Sequence, residues 1–138
     1  MNLTKSQRIF KRQLIHEVEI YRKKRFREGS VWKEEFVFLK KIKCRLSTNT
    51  PSKTGDEVLT ENQQRFLSPF TLYSLPDDIK ADDRFVFYHS RGHTLYEAVS
   101  SPRNPSFLDH HYETPLEEIN LTVEFVNSGT AVYMQVSS

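Results

Sequence analysis

Five histidines, His16, His89, His93, His110 and His111, are the residues of this chain best suited to metal ligation or proton transfer. His89 and His93 straddle the turn signal Ser90-Arg91-Gly92, and Asp109-His110-His111 could approach from a later segment to complete an imidazole-rich site. Adjacent residues on a strand point to opposite faces, so His110 and His111 placed on a strand would not share an ion. Surface or interface histidines without a bound metal are the expectation. Cys44 alternates with Ile42 and Leu46, which marks it as a buried small hydrophobe rather than a nucleophile. Asp77, Asp78, Asp82 and Asp83 carry the charge of a cation loop without the spacing of an EF-hand, and read as solvated turn carboxylates. No glycine-rich phosphate loop, nucleophile elbow or specific paired-carboxylate arrangement occurs, and four glycines are few for a nucleotide cradle. The pattern nominates no catalytic residue and no cofactor, and the expected class is non-enzymatic.

The cations are more informative. Met1 to Arg45 holds fourteen Lys and Arg against five Glu, whereas Leu46 to Ser138 holds six against thirteen acidic residues. The net charge of +2 therefore conceals a basic front and an acidic back. Arg22, Lys23, Lys24, Arg25 and Arg27 form a run, and Lys41, Lys43 and Arg45 form a stripe. Lys5, Arg8, Lys11 and Arg12 crowd the N-terminal segment. Three readings remain open: a solvated face, phosphate neutralisation, or subunit contact. In the last, copies arranged head to tail set these cations against Asp77, Asp78, Asp82 and Asp83 and close a ring. A pI near 8.7 is modest for a dedicated nucleic-acid binder.

A chain of 138 residues is expected to be one domain burying about two thirds of its unfolded surface, with one core and not two. Ten Phe and six Tyr supply much of its apolar volume. A single cysteine excludes an intramolecular disulfide, and no apolar run approaches the roughly 18 residues of a membrane span. A soluble protein of a reducing cytoplasm, without membrane contact, is the expectation.

The elements that would position these residues are mostly strands. Leu3 to Arg12 can form a short basic helix capped by Thr4, ordered only where it docks. Leu14 to Tyr21 alternates, with Val18 and Ile20 on one face and Glu17, Glu19 and Tyr21 on the other. "RKKRFREGS" then reads as a charged, exposed turn. In "VWKEEFVFLKKIKCRL", residues 31–46, Ile42, Cys44 and Leu46 make a dry face opposite Lys41, Lys43 and Arg45. Its first half, through Trp32, Phe36 and Phe38, could be helical, but a bulged strand running into the second half is simpler. Residues 47–65 form a polar stretch longer than most loops of compact domains, and so the first place to look for function. Further strands are expected at residues 66–73, on both sides of Ser90-Arg91-Gly92-His93, near residues 110–119, through Leu121, Val123 and Phe125, and at residues 130–136. The sum is a mainly β fold: a small antiparallel barrel or sandwich of six to seven strands, with a long inter-strand loop and a short N-terminal basic helix or arm.

The order of parts resembles a known family. "HEVEIYR", a polar turn, a long strand ending "KIKCRL", a long polar loop, "FTLYSL", the turn and strand "PDDIKADDRFVFY", a glycine hairpin, "LYEAVSSP" and a closing "DHHYETPLEEI" look like the head-closure proteins of long-tailed bacteriophages. These are also called stoppers or head-tail adaptors. The likeness is densest over "DDIKADDRFVFYHSRGHTLYEAVSSPRN" and covers about residues 14–119. It leaves residues 1–13 as a basic arm and 120–138 as a C-terminal strand extension. The resemblance implies a virion neck protein, assembled in the host cytoplasm into a homo-oligomeric, dodecameric ring beneath the portal and its adaptor. Such a ring closes the DNA exit channel after packaging and offers a docking surface to a tail terminator or tail tube protein. The loop at 47–65 would reach packaged double-stranded DNA through Thr48, Asn49, Lys53, Thr54, Asp56, Glu57, Asn62, Gln63 and Arg65. The basic residues and the aspartates above would contact ring neighbours. The terminal extension also fits another neck component such as a tail-completion protein. A rival from another class is an oligonucleotide-binding β-barrel, with Tyr21, Phe36 and Phe38 as stacking candidates beside the lysine stripe.

Overall fold

The computed structural model describes residues 3–48, 70–105, 108–127 and 132–136. Helix α1, Lys5–Lys11, starts at Thr4, whose hydroxyl accepts the Gln7 N–H while the Gln7 side chain accepts the Thr4 N–H. Seven residues are too few for a helix stable in isolation, so its order depends on docking. The buried Gln7 amide provides that, donating to the carbonyls of Asp109 and His110 at 3.2 Å each. Phe10 adds ring contacts to His110 and His111.

Eight strands follow among the described residues: β1 His16–Glu28, β2 Val31–Thr48, β3 Phe70–Ser74, β4 Arg84–His89, β5 Gly92–Ala98, β6 Tyr112–Ile119, β7 Val123–Asn127 and β8 Val132–Val136. All pairings are antiparallel, in the order β1-β4-β5-β6-β3-β2-β8-β7, and an additional β1–β2 pairing closes the first six into a ring. The expected small barrel is therefore present, with more strands than the six or seven anticipated. Helix α1 is far too short to cross a bilayer.

The expected turn at "RKKRFREGS" is largely strand. β1 continues to Glu28, and only Gly29-Ser30 reverses the chain, with Gly29 at a φ of 64° that other residues adopt reluctantly. Hydrophobic alternation missed this half of the hairpin because most of it is solvent-facing. Cross-strand charge takes over there, through Lys33–Glu28 at 2.9 Å and Lys23–Glu34 at 3.7 Å.

The bulge expected in β2 sits at Leu39. Ile20 pairs with Lys40 and Tyr21 with Phe38, so one residue of β2 has no partner. The consequence is a change of phase. Below the bulge, even-numbered Ile42 and Cys44 face the interior with Val18 and Ile20; above it, even-numbered Phe38 and Phe36 share the opposite face with Tyr21.

Two apolar clusters result, where one was expected. Val18, Ile20, Ile42, Cys44, Leu72, Ile79, Phe85, Tyr96, Ala98 and Leu116 fill the ring. Tyr21, Val86 and Leu95, which alternation puts on the outer wall, gather with Val123 and Met134, and Phe36, Phe38 and Phe125 pack against them. The β7–β8 hairpin makes the second cluster possible by pairing with β2 through Phe36–Met134 and Val37–Tyr133 and so covering the wall. Tyr21 is thus buried, not exposed beside Glu17 and Glu19. Leu121, expected in phase on a strand, precedes β7 and is exposed.

Candidate functional site

The chain's most unusual surface is the free end of the β1–β2 hairpin. β4 pairs with β1 only from Val18 to Tyr21, so beyond that point β1 has β2 as its sole strand neighbour among the described residues. Register puts Arg27 opposite Trp32, Arg25 opposite Glu34 and Lys23 opposite Phe36, all on one face of the arm. The guanidinium carbons of Arg25 and Arg27 lie 4.9 and 6.0 Å from the Trp32 ring centre, and the Lys23 ammonium lies 5.7 Å from that of Phe36. Trp32 is 55% exposed and Val31 56%. Trp32 was not singled out from sequence, although Arg27 and Trp32 are symmetric about Gly29-Ser30 and a two-residue turn would have paired them.

The stacking candidates Tyr21, Phe36 and Phe38 are not free on the barrel wall. Tyr21 is 1% exposed, Phe38 meets its ring edge-on at 5.7 Å, Phe36 packs against the same cluster, and Arg84 lies 3.8 Å over the Phe36 ring. Phe36 and Phe38 thus serve as core on the wall, and the exposed aromatics among the described residues are Trp32 on the arm and Tyr88 on β4, 51% exposed.

The four aspartates separate into different environments. Asp83 is 2% exposed and takes a two-pronged contact from Arg22, at 3.0 and 2.9 Å, while also accepting the Lys80 N–H at 2.9 Å. It is therefore not a solvated turn residue. Asp78 bonds the same guanidinium at 2.8 Å, and that contact lowers its pKa below the ordinary carboxylate range, while Asp83 first and Asp78 second raise that of Arg22. Asp77 pairs with Lys40. Asp78 is nevertheless exposed, and Asp82 is an exposed turn carboxylate at a left-handed φ of 69°. Three members of the acidic group are thus occupied within the chain by cations of β1 and β2. The anticipated neighbour contacts at Lys5, Arg8, Lys11, Arg12, Lys23, Lys24, Arg25, Lys41, Lys43 and Arg45 all fall on exposed positions.

The histidines do not assemble. His16 accepts the Leu46 N–H at Nδ1 and packs on Phe87. His89 contacts Thr94 through Nε2 at 2.9 Å, whereas His93 pairs with Tyr88 and so lies on the other hairpin face, against Phe125. His110 and His111 precede β6 rather than lying on it, and their Nδ1 atoms approach to 2.9 Å, contrary to the expectation that they point apart. They follow the turn at Asp109, with φ 52°, and their rings meet edge-on at 5.2 Å. No group of three His, Cys, Asp or Glu side chains able to hold a metal is present among the described residues. Beside the pair, α1 and the barrel enclose a cleft of about 540 Å³ lined by Ile9, Phe10, Arg45, Tyr73 and both histidines.

Cys44 is fully buried, and desolvation, with a smaller push from Glu17, raises its thiol to about 12. Of the anticipated DNA-loop residues, Thr48 ends β2. Asn49, Lys53, Thr54, Asp56, Glu57, Asn62, Gln63 and Arg65 lie outside the described residues.

No protein-family model matches the chain, and no curated protein matches it.

Proposed function

We propose that the chain is a ring-forming neck protein of a long-tailed bacteriophage, of the head-closure kind, which retains packaged DNA and presents a surface to the tail. The observation that carries this reading is the arrangement of a closed six-strand ring with segments leaving it for contact rather than chemistry. The β1–β2 arm projects past the ring, and the C-terminal hairpin lies on its outer wall. The residue pattern over 14–119 supports the assignment. The anticipated loop falls on the connection between β2, which ends at Thr48, and its ring neighbour β3, which starts at Phe70, and this is where a channel loop would be inserted.

The mechanism is mechanical and electrostatic. A contact made once per subunit is repeated by ring symmetry, so individually weak contacts hold together. Exposed cations of α1 and of the β2 stripe set the register between neighbours more than they add affinity. The deciding experiment is mass photometry of the purified chain with the portal and adaptor of its own phage. Addition of a complete ring to the portal is expected, and absence of any complex at moderate salt overturns the reading. Deleting residues 49–62 should then leave a ring-competent protein whose particles lose DNA; particles that stay filled would remove the gate from this segment.

A further inference from the structure

We infer that the exposed face of the β1–β2 arm is a binding platform for single-stranded nucleic acid, with Trp32 as the base-stacking surface and Lys23, Arg25 and Arg27 as the phosphate contacts. This does not depend on the neck assignment. It rests on a placement the register makes unavoidable: three cations at every second position of one strand, and a tryptophan facing the last two across the hairpin. Alternate residues on a strand are about 6.8 Å apart, a spacing that lets successive cations meet successive phosphates of an extended strand.

The charge balance of the face favours a polyanion. Lys23 has Glu34 at 3.7 Å as its partner, whereas Arg25 and Arg27 make no ion pair among the described residues. Their guanidinium groups lie over the indole, at 4.9 and 6.0 Å from its ring centre, and more than half of the residue stays open. An aromatic surface flanked by guanidinium groups is what an unpaired base needs: a π-face to stack on and a positive edge beside its phosphate. An acidic peptide would use the cations and leave the indole idle, and a duplex offers phosphates but no free base face. The aromatic therefore selects single strands among the polyanions.

Trp32 is the chain's single tryptophan, so its fluorescence reports on this face alone. The test titrates the full chain with oligodeoxythymidine, a duplex of equal length and polyglutamate, reading tryptophan emission and the anisotropy of labelled oligonucleotide. Strong quenching by the single strand only is expected. The affinity should fall with a log–log salt slope of about −2, as three phosphate contacts require. Trp32→Leu should weaken the anisotropy signal by about tenfold, the loss of one stacked base, and R25E/R27E should weaken it further. K41E/K43E, on the barrel stripe, should leave binding intact, and unchanged thermal melting of each variant shows that folding is not the cause. Equal quenching by duplex or polyglutamate, equal loss in K41E/K43E, or no binding at low salt overturns the inference. Loss of portal binding would overturn the neck reading and leave this one standing.

Discussion

Asp83 shows how far a single side chain can be from what its neighbours in sequence suggest. Within "PDDIKADD" it looks like one of four interchangeable turn carboxylates, yet it is the one that is buried, against a cation 61 positions earlier. Local composition cannot separate it from Asp82, because the difference is made by strand pairing. The pair also brings a liability, since removing one partner leaves a buried charge without compensation. Arg22→Ala should cost about 3 kcal/mol in denaturant unfolding, more than any exposed cation of the arm, because Arg22 is itself partly buried. Arg25→Ala, measured alongside, should change stability by well under about 1 kcal/mol. Cys44 is the opposite case. Its neighbours Ile42 and Leu46 announced its burial, because alternation is a local signal and the strand obeys it.

At the level of elements, the bulge at Leu39 divides β2 into a part that alternation reads correctly and a part that it does not. From Ile42 to Leu46 the dry and cationic faces are where the spacing puts them. Above the bulge the phase has changed, and whether Phe36 and Phe38 are core or surface depends on the C-terminal hairpin, which sequence proximity does not reveal. The second cluster should therefore respond to a change in that hairpin. Met134 is 4% exposed, and Met134→Ala should destabilise the protein by about 2–5 kcal/mol. If the outer cluster and the ring form one cooperative unit, urea unfolding of this variant followed by far-UV dichroism and by tyrosine emission will give coincident transitions. The arm was illegible for a related reason. A strand that buries neither face has no hydrophobic period to read, and its charges resemble those of a turn.

Across the whole molecule, buried phenols tie stability to alkaline pH. Burial raises the phenols of Tyr21 and Tyr96 above their ordinary value, with the neighbouring charge of Glu19 adding to the effect at Tyr21 and that of Glu118 at Tyr96. A phenol held above its ordinary value in the folded state retains its proton there more strongly than in the unfolded chain. The stability that it contributes is full below about pH 10 and is lost as pH rises through the raised folded-state values of Tyr21 and Tyr96. Alkaline titration followed by phenolate absorbance should show a group of tyrosines ionising late, together with loss of β-sheet dichroism. Ionisation of all six near pH 10 without unfolding would contradict their placement. The charge asymmetry, read correctly as a basic front and an acidic back, is partly spent inside the fold through Arg22 and Lys40. Among the described residues, exposed cations cluster on the arm, α1 and the β2 stripe.

Closing the ring through the first strand also fixes the order of events at the ribosome. The β1–β2 hairpin is fully synthesised once residue 48 has been made, whereas the strand that seals its other side begins at Arg84. For that interval the nascent chain holds an open β edge, the kind of surface that recruits other chains. The stretch that later pairs with β4, Val18 to Tyr21, carries Glu19 and is followed directly by Arg22, Lys23, Lys24 and Arg25, charges of the kind that discourage pairing of an exposed edge.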